Sequence, residues 1–253
     1  MSDLVKLTLH PSGAAEIVID RPERHNAMTL DMYESLLASI GECEQTRDVR
    51  CLLFRGAGGK SFISGTDIAY FKNFRDGRDG VAYEAFVERV IDTVERIAIP
   101  TIAVIDGWAV GGGLALATAC DFRLCTDASR FGAPIAKTLS NTLSSRNIAR
   151  LQAALGVPRV KKMLLLADYL TAQEASACGF VYDVCPQDAL QDAAHALAQR
   201  LIALSPVTQK AVKESVRRIV VEQRLDDEDL IEEVYGSARF KDAVIAFTSG
   251  SRS

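Results

Sequence analysis

Two glycine-bearing loops contain the residue types and spacing that could do chemistry. One is Phe62-Ile63-Ser64-Gly65-Thr66-Asp67-Ile68; the other is Asp106-Gly107-Trp108-Ala109-Val110-Gly111-Gly112-Gly113-Leu114. Each lies between a segment patterned as a strand and one patterned as a helix. Main-chain N–H groups at a helix start have no partner within the helix, and the helix dipole draws negative charge there. One such N–H from each loop, aimed at a single oxygen, would form an oxyanion hole, usually a large contribution in acyl chemistry. Successive glycines let backbone approach a ligand with no side chain in the way. Taken singly, each loop reads better as tight helix–strand packing. Neither carries the lysine of a P-loop, and Gly111-Gly112-Gly113-Leu114-Ala115-Leu116 lacks the spacing of a dinucleotide fingerprint.

The elements that must position these loops follow from periodicity. Val5–Leu9 and Ala15–Ile19 flank Pro11-Ser12-Gly13 and read as a hairpin. A helix is expected from Leu30 to Glu44, capped by Thr29, with Met32, Leu36, Leu37 and Ile40 on one face. Then come a strand at Cys51–Phe54, a helix over 81–97 stopped by Pro100, and a strand at Thr101–Ile105. An apolar helix, Leu114 to Ala119, and a strand at Asp121–Cys125 follow. This alternation predicts an α/β architecture with a largely parallel sheet, and no repeat of fixed period stands out. From Val157 helix follows helix, over 158–167, 171–178, 187–204, 206–223, 226–235 and 239–247. The chain therefore divides into an α/β core over 1–195 and a helical region over 196–253. The acidic run Asp226–Asp229 suits a helix start, and Thr248–Ser253 reads as a frayed end.

Composition limits the function. Of 253 residues, 48% are hydrophobic and 25% charged, which excludes disordered and collagen-like classes. A net charge of −4 disfavours a dedicated nucleic-acid binder. No stretch has the ~18–20 apolar residues needed to span a bilayer. The longest candidate, Ile97 to Cys120, is broken by Pro100, Asp106 and the glycines. The opening residues show no secretory signal, and six dispersed cysteines without a C-x-x-C read as reduced, mostly buried thiols of a cytoplasmic protein. His10, His25 and His195 are too scattered to suggest a metal cluster.

Four stretches together carry a resemblance: Arg21-Pro22…Asn26-Ala27-Met28, Phe62–Ile68, Gly107…Gly111-Gly112-Gly113…Cys120-Asp121, and Phe131-Gly132-Ala133-Pro134. In order and spacing the chain resembles the crotonase superfamily, the enoyl-CoA hydratase/isomerase family, over nearly its whole length. The resemblance implies a spiral of ββα units with a C-terminal helical trimerisation region, assembled as a homotrimer or a dimer of trimers. It implies an acyl-CoA thioester as substrate, with coenzyme A entering as part of that substrate and no separate cofactor or metal. Carried over residue by residue, the Ser64 and Gly112 N–H groups become the oxyanion donors. Arg24, Ala27, Gly65, Thr66, Asp67, Ile68, Gly111, Ala115, Ile135, Ser140 and Asn141 fall at the substrate. Arg24 is the basic candidate for a CoA phosphate, with a solvated surface arginine as the alternative. Asp67 reads as a helix cap rather than a catalytic acid.

The chain departs from the family at the chemistry. Family hydratases carry one glutamate two residues beyond the glycine triplet, here Ala115, and another after the proline of the Phe131 motif, here Ile135. Neither side chain can take or give a proton, and each lost acid–base role ordinarily costs ~10²–10⁴-fold. Ser140, Asn141 and Thr142 are offered as binders of a polar acyl group, or as residues satisfying a helix start. Tyr70, Tyr83, Glu84 and Glu88 are alternative sources of a base, each also readable as an exposed or packing residue, and His25 is a weaker one. The expected function is an acyl-CoA enzyme of enoyl-CoA hydratase/isomerase type. It would stabilise a thioester enolate on an atypical acyl group, with efficient hydration of simple 2-enoyl esters disfavoured. The alternatives are a CoA-thioester hydrolase or C–C lyase of the same fold, and a non-catalytic acyl-CoA binder or structural subunit.

Overall fold

Strands with apolar residues on both faces need a packing layer on each side. The computed structural model, which describes residues 2–249, shows both layers. In chain order the elements are β1 (Val5–Leu9), β2 (Ala14–Ile19), α1 (Leu30–Gln45), β3 (Cys51–Gly56), β4 (Ser61–Ile63), α2 (Gly77–Arg96), β5 (Thr101–Ile105), β6 (Trp108–Val110), α3 (Gly112–Ala119), β7 (Phe122–Thr126) and β8 (Arg130–Gly132). Then follow α4 (Ser145–Leu155), α5 (Val157–Leu165), β9 (Leu170–Thr171), α6 (Ala172–Ala177), β10 (Asp183–Cys185), α7 (Leu190–Ile202), α8 (Pro206–Arg217), α9 (Glu228–Gly236) and α10 (Ala238–Thr248).

The larger sheet has the order β1-β2-β3-β5-β7-β10, antiparallel only at the β1–β2 hairpin. The period of two sorts its side chains. Ile17, Leu52, Phe54, Ala103 and Ile105 face the main core, which also takes Met32, Leu36 and Ile40 of α1 and Val87, Val90 and Val94 of α2. Their neighbours Ala14, Cys51, Leu53, Ile102 and Val104 face the other way, onto Leu190, Ala194, Leu197 and Leu201 of α7. Helix α7 thus belongs to the sheet's packing, and the boundary drawn at residue 195 falls inside it.

A second sheet, β4-β6-β8-β9, is parallel through β8. The units β3-β4-α2, β5-β6-α3 and β7-β8-α4 therefore repeat one pattern, a first strand in the large sheet, a second in the small one, then a helix. This is the spiral that the resemblance implies. The second strands are three residues long, too short to show alternation, so the sequence reading passed over them. It also passed over α4, and it started α2 late: a capping box of Asp76 and Asp79 begins that helix at Gly77. The helix expected over 206–223 ends at Arg217 and passes through one wide π turn to Gln223, whose φ is 54°. Of the expected frayed end, Thr248 closes α10 and residues 250–253 lie outside the described residues. Among the described residues no helix is long and apolar enough to cross a membrane.

Candidate active site

Parallel neighbours β4, β6 and β8 release their chains from the same end of the small sheet. The register sets Ile63 beside Ala109 and Val110 beside Gly132. Ser64, the glycine triplet and Pro134-Ile135 follow directly, so three loops distant in sequence leave from one edge. The Gly111 N–H donates to the Gly132 carbonyl at 3.0 Å, joining the second loop to the third. A Cβ on Gly65, where φ is +98°, would lie 3.5 Å from the Gly112 nitrogen, which measures how closely the first loop meets the second. Gly112 opens α3, so its N–H has no partner within the helix. Among the described residues, neither it nor the Ser64 N–H donates to a loop carbonyl or a side chain. Both amides are free to bind a ligand oxygen.

A fourth loop braces the first. Asn26 is fully buried and left-handed, with φ 57°. Its Oδ1 accepts from the Arg21 N–H at 2.9 Å, and its Nδ2 donates to the Ala57 and Ser61 carbonyls at 2.9 and 2.7 Å. Beyond it the Met28 N–H donates to the Gly65 carbonyl and the Asp67 N–H to the Met28 carbonyl, both at 2.8 Å. Asp67 accepts from the Ala69 N–H at 3.0 Å and from Arg21 at 2.8 Å. That backbone bond first, then Arg21, holds its carboxyl below the usual range. Asp67 caps the short helical turn 68–73, as expected.

The loops open on a cavity of about 260 Å³. Ser64, Gly65, Thr66, Ile68, Gly111, Gly112, Ala115, Ile135 and Asn141 line it, and these nine were all anticipated. Phe71, Tyr83, Glu84, Leu139, Asn141 and Leu143 line both this cavity and a second, largely apolar chamber of about 630 Å³. Beneath the first loop a hydroxyl chain runs from Tyr33 to Thr66 at 2.9 Å and from Thr66 to Tyr83 at 2.7 Å. Burial pushes the Tyr33 phenol up to about 12, and burial with the neighbouring Tyr33 raises that of Tyr83. Glu84 is half-buried, and its Oε2 accepts from the Ser144 N–H at 2.8 Å. Burial, reinforced by the like charge of Glu88, holds its carboxyl above the usual range.

Arg24, Ala27, Asp67 and Ser140 do not line the cavity. Arg24 is exposed in the bracing loop, and its charge helps to lower Asp67. Ser140 is exposed with φ 53°, and its N–H donates to the Ile135 carbonyl at 2.9 Å. The hydroxyls at 140–142 were one expected source of a helix cap; Ser144 does this instead, its Oγ accepting from the Asn147 N–H at 3.2 Å. Tyr33 was missed, because on the buried face of α1 it reads as core.

The sequence profile described as enoyl-CoA hydratase/isomerase matches residues 10–249. A short-chain-enoyl-CoA hydratase of Clostridium acetobutylicum is 30% identical over 217 residues, covering 85% of this chain and 82% of its own. The Homo sapiens enoyl-CoA hydratase domain-containing protein 2, mitochondrial, is 32% identical over 213 residues, covering 81% of this chain and 71% of its own. The crystal structure of an enoyl-CoA hydratase/carnithine racemase from Magnetospirillum magneticum superposes with a TM-score of 0.88 at 29% identity, covering 99% of this chain and 94% of its own.

Proposed function

The chain belongs to the enoyl-CoA hydratase/isomerase family, and from that premise we propose that it turns over an acyl-CoA thioester through an enolate. The thioester oxygen sits between the Ser64 and Gly112 amides. Charge on that oxygen rises as the enolate forms, so fixed amide dipoles stabilise the transition state more than the bound thioester. The observation that carries this reading is the pair of unpartnered amides, on loops in close approach, lining one cavity. The acyl chain runs past Ala115 and Ile135 toward the apolar chamber. With methyl-bearing side chains at both positions, activation of water for simple hydration has no acid or base there. The same proposal has the enzyme working in the cytoplasm as a homotrimer or a dimer of trimers.

The test is turnover and binding across a panel of saturated, 2-enoyl and 3-enoyl CoA esters, with Gly65→Ala beside the native chain. The added methyl would stand 3.5 Å from the Gly112 nitrogen. Losing one oxyanion donor costs ~10²–10³-fold in kcat, and that is the loss expected of the variant. Undiminished turnover in Gly65→Ala, or a native chain that binds none of the esters, would remove the oxyanion assignment.

A further inference from the structure

An enolate needs a group to take the proton, and the two positions where a carboxylate is usual hold Ala115 and Ile135. We propose that Glu84, reaching in from α2, is the proton-transferring carboxylate of this site, and that it moves one proton between two carbons of the acyl chain. The inference rests on the acyl-CoA reading above and names the residue and reaction class that would complete it. Among the described residues lining the cavity of the free amides, Glu84 is the one carboxylate. Its two oxygens are differently placed. Oε2 is held by the Ser144 N–H at 2.8 Å, whereas Oε1 has no partner among the described residues. Ser144 is itself fixed, its Oγ donating to Glu88 at 2.9 Å, and Glu88 is paired with Arg150 at 2.8 Å. One oxygen is thus anchored and the other left for a ligand.

The charged and titratable surroundings suit this role. Glu88 on the same helix raises the Glu84 carboxyl, in addition to burial, and Arg150 on α4 engages Glu88 rather than Glu84. A carboxylate whose proton affinity is raised toward the working pH is a better general base. The rival hydroxyl of Tyr83 is bonded to Thr66 and shifted further from neutrality.

The step needs no water and no second acid. The Glu84 carboxylate takes a proton from the carbon between the thioester and the double bond of a 3-enoyl ester. That C–H bond breaks, a carboxyl O–H forms, and the electron pair spreads onto the thioester oxygen as a dienolate held by the two amides. The same carboxyl then gives the proton to the fourth carbon, leaving the 2-enoyl ester and a carboxylate again.

The test uses the full chain with 3-hexenoyl-CoA and 3-decenoyl-CoA in deuterium oxide, following isomer and deuterium content by mass spectrometry. The native chain should form the 2-enoyl ester, with deuterium in the fraction of turnovers in which the carboxyl proton exchanges with solvent before its return. Glu84→Gln should lose both by ~10²–10⁴-fold, with hexanoyl-CoA affinity within about threefold of native because the amide oxygen still accepts from Ser144. Glu84→Asp should retain part of the activity, and the native rate should rise with pH to a plateau. Wild-type isomerisation by Glu84→Gln overturns the proposal. So does a native chain that binds hexanoyl-CoA yet neither isomerises nor exchanges. Failure to bind hexanoyl-CoA at all would overturn the acyl-CoA reading itself.

Discussion

A Cβ on Gly113 would lie 2.0 Å from the Ile63 carbonyl oxygen. The third glycine of the triplet therefore exists so that α3 can start against the end of β4, which brings Gly112 beside Gly65. Gly113→Ala should lose stability despite the ~1 kcal/mol that alanine gains over glycine within a helix. The clash is with backbone, which no rotamer change relieves, and overpacking of this kind costs ~1–3 kcal/mol or more. Urea unfolding should show the loss, and acyl-CoA turnover should fall with it. A variant as stable as the native chain would mean that the two loops separate at little cost.

Arg150 is 3% exposed and is held by Glu88 and Glu95 at 2.8 Å each, with Asp92 at 3.7 Å. It joins α4 to one face of α2 and, through Glu88, sets Ser144 beside Glu84. Replacing Arg150 by Met would leave these carboxylates without their partner; breaking a buried pair from one side costs ~3–5 kcal/mol. Denaturant unfolding should show a loss of that size for Arg150→Met, with part of it restored by adding Glu88→Gln and Glu95→Gln. If the triple variant were no more stable than the single one, unpaired charge would not be the cause.

Much of this site was legible because its geometry is set by backbone. Gly113 is required by close approach and Gly65 and Gly111 by their positive φ of 98° and 56°, so the glycines themselves mark where the loops meet. Tyr33 gave no such mark, since a tyrosine on the buried stripe of α1 looks like any core residue. The short strands β4, β6 and β8 cannot show a period of two, yet they deliver all three loops. Glu84 did leave a trace. Glu84, Glu88, Asp92 and Glu95 recur at three- and four-residue spacing along the edge of the apolar stripe Tyr83, Val87, Val90, Val94. A row of acids there signals a polar partner across the interface. What sequence could not supply was that partner, because α4 was not recognised.

The raised carboxyl of Glu84 makes a separate prediction about stability. Its proton is held more tightly in the folded state than in the unfolded one. Its contribution is therefore complete below the unfolded value of about 4.5 and is lost as pH rises through the folded one. Glutamine has no charge to bury, so Glu84→Gln should gain melting temperature relative to the native chain on going from acid to neutral pH. Calorimetry from pH 4 to 8 checks this; a difference that stays flat or falls with pH would show that Glu84 is not burdened by burial.

Glutamates can also be introduced at positions 115 and 135. Ala115 and Ile135 line the cavity of the Ser64 and Gly112 amides, and Ala115 is only 4% exposed. The double variant Ala115→Glu, Ile135→Glu would place an acid and a base at the two positions where the family resemblance leads one to expect them. Crotonyl-CoA hydration, followed by loss of absorbance of the conjugated thioester, should be near background for the native chain and at least ~10²-fold faster for the double variant, the lower bound for one recovered acid–base role. The variant should also be less stable, because a buried carboxylate at 115 and a half-buried one at 135, without cationic partners, are costly to desolvate. Native hydration as fast as that of the double variant would mean that water is activated by a group other than those two side chains, and the division between hydration and proton shift drawn from Ala115 and Ile135 would fail.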